Sequence, residues 1–298
     1  MNTKSRAEKA SHTAGYTCFS RACASREKDE RVRGPDHMAE VFLPGFAKII
    51  LNLPFLRKMF MSRIAPSGIY EYVIARTKVF DQAFREGLKK KVSQIVILGA
   101  GMDTRALRFA GENQGTRVVE LDSEKTQRPK LDILKRKKVH LPPDLIFASI
   151  DFNTQDLREV LVNAGFQLAQ TSLFLWEGVT MYLNPDAVDR TLGFIRENSR
   201  LGSRVVFDYI YASVLRREHT LYGEEEIFAT VSRAGEGWTF GIEENGIQDF
   251  LADRGFRLHT HFSPAQLQER YLIGTKRQAL GRINGTHCIV QAEVGKNR

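Results

Sequence analysis

The strongest constraint in this sequence is a series of five short apolar runs with almost no polar alternation in their middles. They are QIVIL at Gln94–Leu98, RVVELD at Arg117–Asp122, LIFASID at Leu145–Asp151, SLFLW at Ser172–Trp176 and SRVVFDYI at Ser203–Ile210. A strand with one wet face alternates apolar and polar residues, whereas a strand covered on both faces does not, so these runs predict a parallel sheet sandwiched between helices. The segments between them carry helical signals. Asn184-Pro185-Asp186 supplies an N-cap, a first-turn proline and an acid at the positive helix end, predicting a helix over Asn184–Ser199. Ile247, Phe250 and Leu251 share a face of another helix that Gly255 can end, and Phe256–Phe262 and His287–Val294 read as two closing strands. The prediction is an α/β fold, a βαβ array with two late strands. With 298 residues, 42% of them hydrophobic, the chain is long enough to bury roughly 75% of its unfolded surface.

Composition excludes several other classes. Cys18, Cys23 and Cys288 are few, odd in number and without metal-ligand spacing, so neither a disulfide framework nor a zinc site is expected, and a reducing, cytoplasmic setting fits. Met1–Glu30 lacks the apolar core of a secretory signal. The most apolar early stretch, Met38–Ile74, is broken by prolines and basic residues, and no run reaches the ~18 apolar residues of a spanning helix. The segment Phe46–Phe60 reads either as a helical cap packed on the main domain or as an interfacial helix at a membrane surface. Lys and Arg total 44 against 35 Asp and Glu, a formal charge of +9. The densest basic run, Lys135–Lys138, has no interleaved aromatic and no nucleic-acid-binding motif beside it. A solvated helix end therefore explains it better than nucleic acid, and the surplus suggests an anionic small-molecule ligand.

Two regions fall outside the array: residues 1–90, predicted as a helical cap, and an insertion at about 211–241, inside a core spanning 91–298. Loops beyond ~15 residues are usually functional. Both regions are expected to form a lid over the carboxyl edge of the sheet, where open α/β sheets bind ligands.

The chemistry clusters at strand ends. Gly99-Ala100-Gly101-Met102-Asp103-Thr104 follows the first strand directly and precedes a helical stretch. Glycines at 99 and 101 allow a sharp turn and close approach of a ligand, while Thr104 replaces the third glycine of a dinucleotide fingerprint. Glu120 and Asp122 close the second strand where an acid can accept both ribose hydroxyls, and Asp122, nearer the carboxyl edge, is the preferred one. Asp151 and Glu177 close the third and fourth runs. Three successive acidic strand tips suit a cationic ligand. Arg76 lies in the middle of an apolar helical stripe (Ile69, Tyr72, Val73, Phe80, Ala83, Phe84), where a guanidinium needs a carboxylate, either the ligand's or a structural Asp or Glu. A ribose, an adenine-like ring, a positive sulfur or nitrogen and a carboxylate together describe S-adenosylmethionine.

The segments VILGAGMDTRALRF (Val96–Phe109), VVELD (Val118–Asp122), DF (Asp151-Phe152), LFLWEGVTMYL (Leu173–Leu183) and GWTFGI (Gly237–Ile242) resemble, in order and spacing, the leucine carboxyl methyltransferase family. The resemblance runs from about Thr13 to the C-terminus and departs most over Arg31–Pro66, which is longer and more apolar than expected. It implies a class I methyltransferase (Rossmann-like) fold, a seven-stranded, mostly parallel sheet with a reversed last strand and helices on both faces. It implies S-adenosylmethionine as cofactor, with Gly99 and Gly101 at the methionine moiety, Asp122 at the ribose, Asp151 and Phe152 at the adenine, and Glu177 at the amino group. Arg76, with Arg21 as a second partner, would hold the carboxylate.

The expected reaction is O-methylation of a small-molecule acceptor, anionic or phenolic, by in-line displacement. Proximity supplies most of the acceleration. An ionised carboxylate needs no base, whereas a hydroxyl does. Tyr182, Tyr209, Tyr211 and Trp238 are the candidate acceptor contacts, and no catalytic residue is identifiable. His259 and His261 are expected on one side of a strand, without further metal ligands. The competing classes are a non-catalytic S-adenosylmethionine-binding or membrane-surface protein and an NAD-dependent oxidoreductase. The latter predicts a glycine at 104 and a phosphate-compatible rim.

Overall fold

A computed structural model describes residues 15–152, 154–235, 237–273 and 280–295. Residues 1–14 of the basic N-terminal stretch therefore lie outside the described residues. The seven expected strands form one sheet: β1 Gln94–Leu98, β2 Arg117–Asp122, β3 Leu145–Ser149, β4 Ser172–Trp176, β5 Arg204–Ile210, β6 Phe256–Phe262 and β7 His287–Val294. Their order is β3-β2-β1-β4-β5-β7-β6. The first five are mutually parallel, and β7 runs antiparallel to both β5 and β6.

Both faces are covered, as the missing alternation requires. On one face Ile95, Ile97, Leu173, Leu175, Val206 and Ile289 meet Tyr72, Phe80 and Phe84 of the long helix Ile69–Lys89. On the other, Val96, Leu98, Phe174, Trp176, Phe207 and Tyr209 meet Leu161, Val188, Leu192 and Ile195 from helices Leu157–Asn163 and Pro185–Asn198. The latter helix starts as expected, with the Asn184 side chain accepting the Ala187 N–H.

The third strand is shorter than its apolar run. It stops at Ser149, so Asp151 stands in the following loop, where its N–H donates to the Gln155 side chain. The N-terminal region is helical over 15–24, Gly45–Asn52, Pro54–Ile64 and Ile69–Lys89. The 211–241 insertion contains the helix Glu224–Ala234, whose Ile227 and Val231 pack on Ile69 and Val73. Thr239 and Phe240 donate N–H bonds to the Met181 carbonyl, which ties the insertion to the segment after β4.

A register shift between Leu258 and Thr260 corrects the placement of the two histidines on β6. One extra residue on the bulged strand breaks the two-residue periodicity. His261 stacks against Tyr209 and shares a hydrogen bond with its hydroxyl, whereas His259 lies near Arg204 and Glu86. Among the described residues no group of His, Cys, Asp and Glu is arranged to hold a metal, and no helix is long and apolar enough to cross a membrane.

Candidate functional site

The turn after β1 is bent by two left-handed glycines, Gly99 (φ +66°) and Gly101 (φ +49°). At Gly99 a Cβ would lie 2.4 Å from Cγ2 of Val179, so the position is closed to other residues by both conformation and space. The Gly101 N–H donates to Oδ2 of Asp122 at 2.6 Å, and the Ser123 N–H donates to Oδ1. Burial raises the Asp122 carboxyl above its ordinary value, against the opposing effect of these amides. Glu120, two residues earlier on the same pleat side, is fully buried and paired with Lys130. It is a structural ion pair, which leaves Asp122 as the strand's acid at the turn.

Glu177 follows β4 directly and is gripped by two arginines. Arg76 Nε lies 2.9 Å from Oε1, and Arg105 Nη2 lies 2.7 Å from Oε2. The charges pair, yet the carboxylate keeps acceptor capacity for a further donor. Burial pushes the Glu177 carboxyl up, but Arg105 and Arg76 outweigh it and hold it below the usual range.

Arg76 also bonds Asp208 on β5 through Nη1 at 3.0 Å. Asp208 accepts the Tyr72 hydroxyl at 2.9 Å and the Gly178 N–H at 2.6 Å. The inward guanidinium thus finds its carboxylates within the protein, the structural alternative set out from sequence. Arg21 reaches the glycine turn from the helix at 15–24: it pairs with Asp36 at 2.7 Å, donates to the Met102 carbonyl at 2.7 Å, and leaves its buried Nε without a partner.

These contacts extend into one network. Arg105 bridges Asp81, Asp103 and Glu177, and Arg108 bridges Asp81 and Asp36. Four guanidiniums (Arg21, Arg76, Arg105, Arg108) face five carboxylates (Asp36, Asp81, Asp103, Glu177, Asp208), a formal surplus of one negative charge among these ion pairs. Sequence reasoning gave no site role to Asp36, Asp81, Asp103, Arg105, Arg108 or Asp208. The available signal was a lone acid inside the apolar run VVFDYI and the charged DTR after the glycine turn.

The remaining candidates divide. Phe152 is half-buried beside β3, and Asp151 is exposed. Tyr182 and Trp238 join Ile69, Val73, Ile227 and Val231 in an apolar cluster beneath the insertion, next to the Arg76 helix. The indole N–H of Trp238 is buried without a partner, and its ring meets His287 edge-on at 5.5 Å. Tyr209 and Tyr211 belong to the larger core, against which Tyr182 and Trp238 also pack. Pleating turns Tyr209 to the face opposite Asp208, where its hydroxyl meets His261, and Tyr211 packs edge-on against it.

Helices on both faces of a seven-stranded sheet with one reversed strand, a glycine turn after β1 and an acid closing β2 define the class I methyltransferase fold, a Rossmann-like α/β architecture. A solved structure described as "a putative methyltransferase from Thermobifida fusca" superposes with a TM-score of 0.56 over 86% of this chain and 92% of that chain, at 17% identity. The leucine carboxyl methyltransferase profile matches residues 14–196, more than half of the sequence, and the chain belongs to that family. Two relatives, from Streptomyces coelicolor and Mycobacteroides abscessus, carry the name "Putative S-adenosyl-L-methionine-dependent methyltransferase". The first is 34% identical over 45% of this chain and 46% of the relative, and the second is 32% identical over 61% and 66%. The chain thus matches about half to two thirds of the length of these relatives.

Proposed function

We propose that this protein binds S-adenosylmethionine at the carboxyl edge of β1, β2 and β4 and transfers its methyl group to an oxygen of a small-molecule acceptor. The observation that carries the reading is the formal surplus of negative charge among the buried ion pairs, with Glu177 presented beside the glycine turn and Asp122. A ligand with an ammonium, a sulfonium and one carboxylate bears net positive charge and complements it. The residues present fit that group. Asp122 would hold the ribose, Glu177 the ammonium, the unpartnered Nε of Arg21 the carboxylate, and Asp151 and Phe152 the adenine. Arg76, tied to Glu177 and Asp208, would orient Glu177. When bound, the cofactor supplies an activated methyl group, and the chain's task is alignment and exclusion of water.

A dinucleotide fits this edge less well. Asp103 accepts the Arg105 N–H at the start of the helix Arg105–Arg108, so a carboxylate already stands where a pyrophosphate would lie. Thr104 is buried against Asp36 and Arg108.

A carboxylate acceptor is favoured over a hydroxyl. A general base works best with a pKa near the operating pH. The histidine beside Arg76, His287, is pushed down to about 3 by burial and by Arg76, and His261 lies on the other face. A carboxylate, ionised at neutral pH, needs neither. The test is calorimetric titration with S-adenosylmethionine, S-adenosylhomocysteine and NAD, followed by labelled methyl transfer to a panel of carboxylic acids and phenols. Binding of the first two ligands and base-labile methyl esters are expected. Asp122→Ala should weaken cofactor binding by about 1–3 kcal/mol. Failure of the wild-type protein to bind either sulfur ligand refutes the reading.

A further inference from the structure

The segment that departs most from the family pattern builds an unusual surface. Among the described residues, large exposed apolar side chains are scattered singly at Leu141, Val162, Leu168, Leu201 and Ile273, but four crowd into ten positions. Phe46 is 69% exposed, Ile49 62%, Leu53 48% and Phe55 76%. They sit at the corner where helix Gly45–Asn52 turns through Leu53 into helix Pro54–Ile64. Phe46, Ile49 and Leu53 follow the three- and four-residue spacing of one helix face, while Ala47 and Leu51 fill the opposite face and anchor the corner on Cys18, Phe19 and Ala22. The first helix is therefore apolar on its inner and its outer side, which a merely packed cap does not require.

Charge identifies the occupant. From Val41 to Tyr70 the sequence contains Lys48, Arg57, Lys58 and Arg63 and no acidic residue. An open groove beside the corner is lined by Val41–Gly45 on one side and by Ile133, Arg136 and Lys137 on the other. This groove sets Arg136 and Lys137 of the basic run Lys135–Lys138, which the catalytic reading leaves unused, beside the segment that leads into Phe46 and the apolar patch. Among the described residues, Lys48, Lys58, Arg63 and Lys135–Lys138 form no ion pair. A second copy would set the same basic rim against itself across a two-fold axis, and like charges repel. Apolar side chains that insert at the headgroup boundary, ringed by unpaired Lys and Arg, match an anionic bilayer. We propose that the corner at Phe46–Phe55 docks this protein on an anionic lipid surface, independently of its reaction.

The experiment is vesicle flotation of the full chain with phosphatidylcholine alone and with about a third phosphatidylglycerol added, at low and high salt. Partner variants are Phe46→Ser/Phe55→Ser and Lys58→Glu/Lys137→Glu. The wild type should float with the anionic vesicles, less so at high salt, and not with the neutral ones. Each double variant should lower partitioning by at least about tenfold, with melting temperature unchanged because the altered side chains are exposed. No flotation of the wild type overturns the proposal. So does undiminished flotation of Phe46→Ser/Phe55→Ser, which would reduce the effect to the chain's overall positive charge. A wild-type dimer in sedimentation that this variant dissociates, without vesicle binding, would assign the patch to a second copy and also overturn it.

Discussion

Replacing His287 by Gln should flatten the acid limb of the stability curve. The imidazole is buried between the Tyr72 ring, 4.7 Å away, and the Trp238 ring, on the side of the sheet that holds Arg76. Loss of hydration and then the Arg76 charge push its pKa from 6.5 down to about 3. In the unfolded chain the same histidine takes up a proton near pH 6.5. The folded state therefore binds fewer protons than the unfolded state between those two values. Its stability is fully present above about pH 6.5 and is lost as pH falls through that window towards 3, by about 1.4 kcal/mol per pH unit. At pH 5 the loss attributable to this one group reaches about 2 kcal/mol. Urea unfolding of wild type and His287→Gln at a series of pH values between about 8 and 5, which covers the upper part of that window, isolates the effect, because carboxylates titrate alike in both. The gap between the two proteins should change by about 2 kcal/mol across the series. Parallel curves would mean that His287 is hydrated or charged in the native state, and the packing around Arg76 would have to be redrawn.

The other outcomes concern the network and the turn. Asp208→Ala strips Arg76, Tyr72 and Gly178 of a shared acceptor and should cost about 3–5 kcal/mol in denaturant unfolding. A loss below about 1 kcal/mol would show that water or Glu177 replaces it. Gly99→Ala should destabilise the fold and weaken cofactor binding through the 2.4 Å approach to Val179 and the positive φ. Adding Val179→Ala should restore part of the stability and not all of it, because the backbone strain remains; full rescue would make the contact the whole cause.

How much of this was legible in the sequence follows from how local each signal is. Strand identity, the Asn184 helix cap and the glycine turn depend on neighbours a few residues away, and each was read at its place. Position along the strand carried the preference for Asp122 over Glu120, and tertiary structure adds that Glu120 is occupied by Lys130. Pleat parity failed where an inserted residue interrupts it, at His259. Which face Tyr209 and Tyr211 present was not legible, because a tyrosine in a strand is compatible with either face of the sheet.

The linear chain settled what depends on short-range periodicity: a doubly covered sheet, its strand ends, and acids and glycines at those ends. Tertiary structure alone decided who neutralises whom. Arg76 meets Asp208 across 132 positions and Arg21 meets the Met102 carbonyl across 81. An ion pair buried between distant elements leaves no periodic trace, because its partners are set by how helices dock on the sheet and not by spacing along the backbone.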